Sequence, residues 1–192
     1  MKPHHLIFEG AELAGKSWLM SQVYDQLEPK YNQSGYLLDG CHWFNCDVGV
    51  YGSEHGRPII SSYLKIFSEL KNNNLLVEKF HLSDIIYNRL HRRQEINYKN
   101  IEQQLKKLDF KIIFITLPPD KKIIKKRIGD RLKLYPHYER ILRKPEWYIK
   151  QQEEYLKEIK KTGLPYLIIE TKKLPDNNLT KKILKWIGEI KI

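Results

Sequence analysis

Short apolar runs alternate along the chain with longer segments in which apolar residues recur every three or four positions. The short runs predict five strands, at 5–8, 36–38, 75–77, 112–117 and 166–169. The longer segments predict helices over 16–27, 58–70, 82–108 with a break near Asn97, after Asp120, over 145–161 and over 179–187. Alternating strands and helices are typical of a parallel sheet covered by helices on both faces. We therefore predict an α/β fold of three layers with about five parallel strands.

Segment 41–56 lacks a clear hydrophobic period. It combines glycines, aromatic residues and acids, a composition typical of loops that carry binding residues. We predict that this segment forms a loop that faces the substrate and does not belong to the sheet.

Length and composition indicate one globular domain that covers residues 1–192. Of these 192 residues, 41% are hydrophobic and 30% are charged, values close to those of ordinary globular domains. No apolar run approaches the roughly 20 residues that span a bilayer, and the N-terminus lacks the apolar core of a signal peptide. We expect a cytoplasmic protein without a membrane partner.

Two cysteines, Cys41 and Cys46, lie near His42 and His55 and raise the question of a metal site. Their spacing matches no standard zinc site, and two cysteines are too few for a disulfide framework. We expect ordinary loop residues in a reducing compartment.

The formal net charge of +11 indicates an anionic partner. Nucleotide phosphates, nucleic acid and acidic membrane all fit this charge, which does not choose among them.

One segment carries a complete phosphate-binding motif. It matches the pattern G-x-x-x-x-G-K-[ST] and lies between a predicted strand and a predicted helix, the context that this motif requires. Its members, the candidate nucleotide-binding residues, are Gly10, Ala11, Glu12, Leu13, Ala14, Gly15, Lys16 and Ser17. Backbone amides of such a loop surround phosphate oxygens, and the N-terminus of the helix that follows adds positive partial charge. We expect ATP here, with Lys16 as a catalytic residue that neutralises the β- and γ-phosphates and Ser17 offering its hydroxyl to Mg²⁺.

A second group of charged residues follows the predicted strand at 75–77. In an open α/β sheet the carboxyl ends of the strands face the ligand, so Glu78 and Lys79 are placed to act on a substrate. Glu78 is suited to catalysis, either by holding a water bound to Mg²⁺ or by accepting a proton from an attacking hydroxyl, and Lys79 is suited to holding a phosphate. A solvated charge pair at the end of a strand is the alternative.

These two segments resemble the thymidylate kinases and the deoxynucleoside kinases. Residues 8–17 resemble the opening of both families, and residues 78–83 resemble the Asp-Arg-Tyr or Asp-Arg-Phe stretch of the first and the Glu-Arg-Ser stretch of the second. The resemblance implies a P-loop kinase fold with a helical lid, a phosphate-binding Lys79, and contact between Glu12 and the 3′-hydroxyl of the acceptor sugar. Lys79 replaces the family's arginine, and lysine cannot bind a phosphate through two parallel bonds as arginine does.

The strongly basic segment 120–145 is identified through the same resemblance as the lid. Some members of these families carry arginine at the position of Leu13, and those without it take catalytic positive charge from the lid. Arg127 and Arg131 are four residues apart on one face of the predicted helix, so we expect both to act as catalytic residues over the γ-phosphate. A solvated basic helix is the alternative.

The resemblance also supplies candidates for binding the acceptor and the adenine. Arg57 lies roughly where thymidylate kinases place an arginine for the acceptor phosphate, and Phe67 is suited to stacking on a base, with Trp43 or Phe44 as alternatives. A surface arginine and a core phenylalanine are equally acceptable interpretations. Residues 170–172 lie where related kinases bind adenine through backbone groups.

Together these features favour a nucleotide kinase of thymidylate kinase type, which transfers the γ-phosphate of MgATP to a (deoxy)nucleoside monophosphate. A deoxynucleoside kinase of the same fold is the closest alternative, and Glu78 would then be the base that activates a sugar hydroxyl. A polynucleotide 5′-kinase, which the net charge supports, and a non-catalytic nucleotide-binding module are less favoured. Families of this kind often form homodimers, which is one expected oligomeric state.

Overall fold

Five strands form one sheet in the computed structural model of the protein, which describes residues 2–190. Their bounds are β1 His5–Gly10, β2 Cys41–Asn45, β3 Asn74–Glu78, β4 Phe110–Thr116 and β5 Tyr166–Glu170. The order across the sheet is β2-β3-β1-β4-β5, and every neighbouring pair is parallel. The predicted α/β fold with a five-stranded parallel sheet is confirmed.

Helices connect the strands and cover both faces of the sheet. Their bounds are α1 Lys16–Tyr31, α2 Gly56–Glu69, α3 His81–Tyr87, α4 Lys99–Lys107, α5 Lys121–Leu134, α6 Pro145–Ile159 and α7 Asn177–Trp186. A π-helical turn, Asn88–Arg92, extends α3, and a 3₁₀ turn, Pro136–Ile141, lies between α5 and α6. No helix within residues 2–190 is long and apolar enough to cross a membrane.

Two apolar cores lie on opposite faces of the sheet, because successive side chains of a strand point to opposite faces. From β1, Ile7 enters one core together with Phe67 of α2 and Tyr155 of α6. Leu6 and Phe8 enter the other core, which includes side chains from α1 and α7. The central strands β1 and β3 are buried along their whole length, as parallel strands between two helical layers are. The three predicted layers are therefore present.

The second strand lies at 41–45, and the prediction of a strand at 36–38 is wrong. β2 pairs with β3 along its whole length, whereas Leu38 in the predicted strand is 73% exposed. An edge strand such as β2 is only partly buried, so its apolar pattern resembles that of a loop. Only residues 46–55 of the predicted loop 41–56 lie outside strands and helices, and they connect β2 to α2.

The predicted end of the first helix is also wrong. α1 continues past the predicted end at residue 27 to Tyr31, with Pro29 in its last turn. The carboxylate of Glu28 accepts the backbone N–H of Cys41 at 2.6 Å, which ties this last turn to β2. The predicted break near Asn97 in the helical segment 82–108 is confirmed, because residues 93–98 separate the π-helical turn after α3 from α4. The turn ends where Arg93 adopts the left-handed conformation with φ of 55°.

The N-terminal residues, the end of α1 and the C-terminal residues meet at Glu189. Its carboxylate lies 2.6 Å from a ring nitrogen of His4, accepts the Tyr31 hydroxyl at 2.6 Å and pairs with Lys30. Burial raises the pKa of Glu189, but the hydrogen bonds from Lys30, Tyr31 and His4 outweigh burial and lower that pKa to about 2. An acid with a depressed folded pKa stabilises the fold above its unfolded pKa, and this contribution is lost as the pH falls through the folded value.

We expect Glu189→Gln to lower the free energy of unfolding at pH 7 by about 1–3 kcal/mol, because hydrogen bonds to a charged acceptor are lost. The difference from the parent should shrink as the pH falls from about 5 towards about 2, where the parent carboxylate becomes protonated. Urea unfolding across this pH range checks both statements. Glu153→Gln, at an exposed position of α6, is the control, and an equal loss in both variants would contradict the assignment.

Candidate active site

The phosphate-binding loop joins the end of β1 to the start of α1, and its backbone is tightly curled. Leu13 and Gly15 have positive φ angles of 66° and 86°, a left-handed conformation that directs successive amide N–H groups towards one point. Gly10 has a φ of 126°, and a Cβ at this position would lie 1.9 Å from the carbonyl oxygen of Ile115. Only glycine fits there. The motif recognised in the sequence therefore has the positive φ angles and the close backbone approach that a phosphate-binding loop requires.

Lys16 is folded back onto the loop. Its ammonium donates hydrogen bonds to the carbonyl oxygens of Gly10 and Ala11, both at 2.9 Å, and 6% of the residue is exposed. Burial, and then the positive charge of Lys79, lowers the pKa of Lys16 to about 8. A phosphate anion beside this ammonium would supply the opposite charge that favours its protonated form.

Ser17 and Glu78 meet beside the loop. The Ser17 hydroxyl donates to Oε1 of Glu78 at 2.5 Å, and Glu78, at the end of β3, is 8% exposed. A hydroxyl and a carboxylate oxygen next to a phosphate site suit Mg²⁺, which binds hard oxygen ligands and keeps several waters. In the part of the chain that the structure describes, no three His, Cys, Asp or Glu side chains cluster to hold a metal ion. A metal held by Ser17 and Glu78 would therefore depend on phosphate oxygens and water for its remaining ligands.

Glu9, which the sequence does not single out, is a carboxylate without exposed surface. Its oxygens accept the backbone N–H of Phe80 at 2.8 Å, the backbone N–H of Ser83 at 3.2 Å and the Ser83 hydroxyl at 2.5 Å. These bonds tie the residue before Gly10 to the turn that follows Glu78. An acidic residue inside an apolar strand is the signal in the sequence that points to such a role, because a buried carboxylate needs partners.

Lys79 forms an ion pair with Asp47, a residue absent from the candidates named by sequence. The Lys79 ammonium lies 2.5 Å from a carboxylate oxygen of Asp47, and 19% of each side chain is exposed. Burial lowers the pKa of Lys79, but the charge and hydrogen bond of Asp47, together with the charges of Glu12 and Glu78, outweigh burial and raise that pKa. Lys79 also has a positive φ of 56°, a strained conformation that clusters at functional sites. Asp47 lies two residues after β2, so recognition of that strand would have identified it.

Glu12 is held by two helices. Its carboxylate accepts a hydrogen bond from the hydroxyl of Tyr87, at the end of α3, and its backbone N–H donates to Oε1 of Gln151 on α6 at 3.1 Å. Burial, and then the charge of Glu12, raises the pKa of Tyr87 and keeps its hydroxyl protonated. The Lys79 ammonium lies 5.6 Å from the centroid of the Tyr87 ring. Successive contacts thus link Glu12, Tyr87, Lys79 and Asp47 next to the loop, and we call this group of residues the acceptor side.

Two predicted acceptor-binding residues make other contacts. Phe67 is fully buried, and Phe44 packs against it with ring centroids 5.2 Å apart. A side chain without exposed surface offers no face for a base to stack on, so the predicted stacking role of Phe67 is wrong and the alternative of a core phenylalanine holds. Arg57 is exposed, and its guanidinium donates to the carbonyl oxygen of Asn97 at 2.7 Å and lies over the ring of Tyr98. Its contact with an acceptor phosphate stays a prediction.

The two lid arginines differ in their contacts. Arg127 is 7% exposed and donates to the carbonyl oxygens of Thr171, at 3.1 Å, and of Lys173. These carbonyls belong to the loop after β5, which overlaps the predicted adenine segment 170–172, so the Arg127 guanidinium contacts that loop. Its action on the γ-phosphate stays a prediction. Arg131 lies over the ring of Tyr138, 4.2 Å from its centroid, and its buried Nε has no partner within residues 2–190. Its action on the γ-phosphate stays a prediction.

We expect binding of MgATP just above pH 8 to take up protons. Part of the free protein lacks the Lys16 charge there, because its pKa is about 8, and a bound phosphate raises that pKa. The affinity should therefore fall as the pH rises through this value. Calorimetric titration in buffers of different ionisation enthalpy measures the protons taken up. In Lys16→Ala both the tight binding of MgATP and the proton uptake should disappear. Unchanged proton uptake in this variant would contradict its assignment to Lys16.

Solved structures of other proteins share this architecture. The YorR protein of Bacillus subtilis in complex with phosphorylated GDP is similar over 95% of this chain and 94% of that chain, with a TM-score of 0.63 and 18% identity. A deoxyadenosine kinase from M. mycoides matches over 97% of this chain and 100% of that chain, with a TM-score of 0.57 and 14% identity. A thymidylate kinase from Ehrlichia chaffeensis matches over 99% and 100%, with a TM-score of 0.54 and 13% identity. No protein-family model and no curated protein matches the sequence. At these identities the similarity shows that the chain has the P-loop kinase fold.

Proposed function

We propose that the protein is a P-loop phosphotransferase that moves the γ-phosphate of MgATP to a hydroxyl group of a (deoxy)nucleoside. The curled loop, the Lys16 ammonium and the paired Ser17 and Glu78 side chains support the donor half of this proposal. The proteins that share the fold include a deoxyadenosine kinase, named for a nucleoside, and a thymidylate kinase, named for a monophosphate. The choice of acceptor therefore depends on the residues of the acceptor side.

The ion pair between Lys79 and Asp47 is the observation that favours an uncharged acceptor. Together with Glu12, the acceptor side carries two carboxylates and one ammonium, and this excess of negative charge opposes a dianionic monophosphate. A nucleoside hydroxyl carries no charge and donates a hydrogen bond to a carboxylate. The nucleoside kinase, which the sequence left as the alternative, is therefore preferred to the monophosphate kinase.

Asp47 is the residue that we assign as the general base. It accepts the proton of the acceptor hydroxyl while that oxygen bonds to the γ-phosphorus and the bond to the bridging β-phosphate oxygen breaks, which leaves ADP. Lys79 holds the Asp47 carboxylate in position through the ion pair. Glu78 is bonded to Ser17 and so belongs with the metal, where Mg²⁺ would neutralise charge on the phosphate oxygens.

The distribution of charge supports the proposed lid. Segment 120–145 carries ten basic and three acidic residues, a net charge of +7 out of +11 for the whole chain. Positive charge concentrated on a lid stabilises the negative charge of a transferring phosphoryl group. Most of the protein's net positive charge would then serve the phosphates of the donor, so this charge gives little support to a polynucleotide acceptor.

Incubation of the protein with MgATP and a panel of acceptors tests the proposal. The panel contains nucleosides, their 5′-monophosphates and an oligonucleotide with a free 5′-hydroxyl, and ion-exchange chromatography separates the products. We expect nucleosides alone to be phosphorylated, and Lys16→Ala to be inactive. Phosphorylation of monophosphates but not of nucleosides would instead support the thymidylate kinase type, and phosphorylation of the oligonucleotide alone would support a polynucleotide kinase.

We expect Asp47→Asn to lower kcat by about 10²–10⁴-fold, because the hydroxyl proton loses its acceptor. The KM for MgATP should stay close to that of the parent, since Asp47 lies outside the phosphate-binding loop. Steady-state rates with nucleoside as the varied substrate measure the effect. Asp25→Asn, at an exposed position of α1, is the matched control. If Asp47→Asn keeps the kcat of the parent, Asp47 is not the general base.

A further inference from the structure

The turn between α1 and β2 exposes three consecutive apolar side chains. Tyr36 is 85% exposed, Leu37 59% and Leu38 73%. Single apolar residues are common on protein surfaces, but a contiguous exposed run marks a surface that meets another molecule. We call residues 32–38, which contain this run, the apolar turn.

Hydrogen bonds hold the apolar turn in one shape. The carbonyl oxygen of Leu37 accepts the Ser34 hydroxyl at 3.1 Å and the side-chain amide of Asn32, and its backbone N–H donates to the Ser34 hydroxyl at 2.8 Å. The Asn32 amide also donates to the carboxylate of Glu28 in α1 at 2.8 Å. The turn is thus anchored to the helix while its apolar side chains stay exposed, so binding through them needs little further ordering of the backbone.

An open hollow of about 520 Å³ adjoins the exposed side chains. It is lined by Pro29, in the last turn of α1, and by residues of the apolar turn that include Tyr36, Leu37 and Leu38. In a twofold interface both partners contribute the same patch, and each residue contacts its counterpart's neighbours. An apolar projection beside a hollow suits such a contact, because each copy can place its projection against the hollow of the other.

The distribution of charge favours a second copy of this chain as the partner. Lysine and arginine supply 34 of the 192 residues, yet residues 31–56 contain none. Two copies that each carry a net charge of +11 repel one another, so they approach best where neither presents positive side chains. Lys30, which precedes this segment, forms an ion pair with Glu189. The apolar turn therefore lies where two copies can meet without bringing lysines together.

Other exposed leucines have a different setting. Leu174 is 65% exposed and follows Lys172 and Lys173, and Leu134 is 73% exposed and follows Lys133. A contact between two copies at either leucine would bring like charges together. Exposure alone therefore does not single out the apolar turn, but exposure in a segment without positive charge does.

We propose that the apolar turn is the centre of a twofold interface between two copies of this chain. Each copy places Tyr36, Leu37 and Leu38 against the hollow of the other, which removes apolar surface from water on both sides. The inference depends on this surface and not on the reaction that the protein catalyses.

Sedimentation equilibrium of the full-length protein over a range of concentrations tests the proposal. We expect the mass to rise from 23.0 kDa for one chain towards twice that value. Leu38→Asp should raise the dissociation constant at least about 30-fold, the effect of losing a central interface residue, because it places a charge in an apolar contact. Leu174→Asp, the matched control, and Leu38→Met, which keeps the apolar surface, should retain the dissociation constant of the parent.

Salt distinguishes an apolar contact from one made by charges. Raising NaCl from about 0.1 M to about 1 M screens the repulsion between the two positively charged copies, so the proposed dimer should tighten. Copies that are held together by ion pairs or bridged by nucleic acid should instead separate as the salt concentration rises.

Cross-linking locates the contact without a variant that weakens it. The two native cysteines, Cys41 and Cys46, are buried, so Leu37→Cys adds an exposed thiol. A short bismaleimide should join two copies of Leu37→Cys in dilute solution. It should not join two copies of Leu174→Cys.

Four outcomes would overturn the inference. They are a parent that stays monomeric, an unchanged dissociation constant in Leu38→Asp, a dimer that salt weakens, and cross-linking of Leu174→Cys in place of Leu37→Cys. A monomeric parent that binds phosphatidylcholine vesicles, and loses this binding in Leu38→Asp, would assign the apolar turn to a lipid surface instead. Phosphorylation of nucleosides by a monomeric parent would end this inference and leave the proposed function in place.

Discussion

The candidate site depends on the buried carboxylate of Glu9, which holds the phosphate-binding loop next to the segment that follows β3. Glu9 lies at the end of β1, and its carboxylate accepts hydrogen bonds from Phe80 and Ser83 in the segment after β3. The phosphate-binding loop starts one residue after Glu9, and Lys79 comes one residue before Phe80. A carboxylate withdrawn from water requires strong partners, so these bonds hold the loop and the β3 end in one arrangement.

Two groups of charged and polar residues lie next to the loop. On one side, Lys16, Ser17 and Glu78 form a set suited to a magnesium-bound triphosphate. On the other, Asp47 and Lys79 form an ion pair beside Glu12, and this side is negative overall. This contrast is the basis of the proposed transfer from MgATP to an uncharged acceptor. In that proposal the positive charge of segment 120–145 belongs with the first group.

The parts of the site that could be predicted from the sequence are the local ones. The loop from Gly10 to Ser17 is contiguous, so its spacing alone carries the geometry, and Glu78 follows a strand that is apolar throughout. Asp47 was missed because β2 is a partly buried edge strand whose pattern resembles a loop. Phe67 was misplaced because helical periodicity shows which residues share a face, and not whether that face meets the core or a ligand.

The sequence by itself determined the alternation of strands and helices, the parallel α/β fold and the phosphate-binding loop, because each depends on residues close together in the chain. Only the tertiary structure decided which residues meet from different strands and helices. The pairing of Asp47 with Lys79, the contacts of Arg127 with the loop after β5 and the hold of Gln151 on Glu12 each join segments at least 32 residues apart. Such contacts arise from packing across the sheet, which no local pattern records.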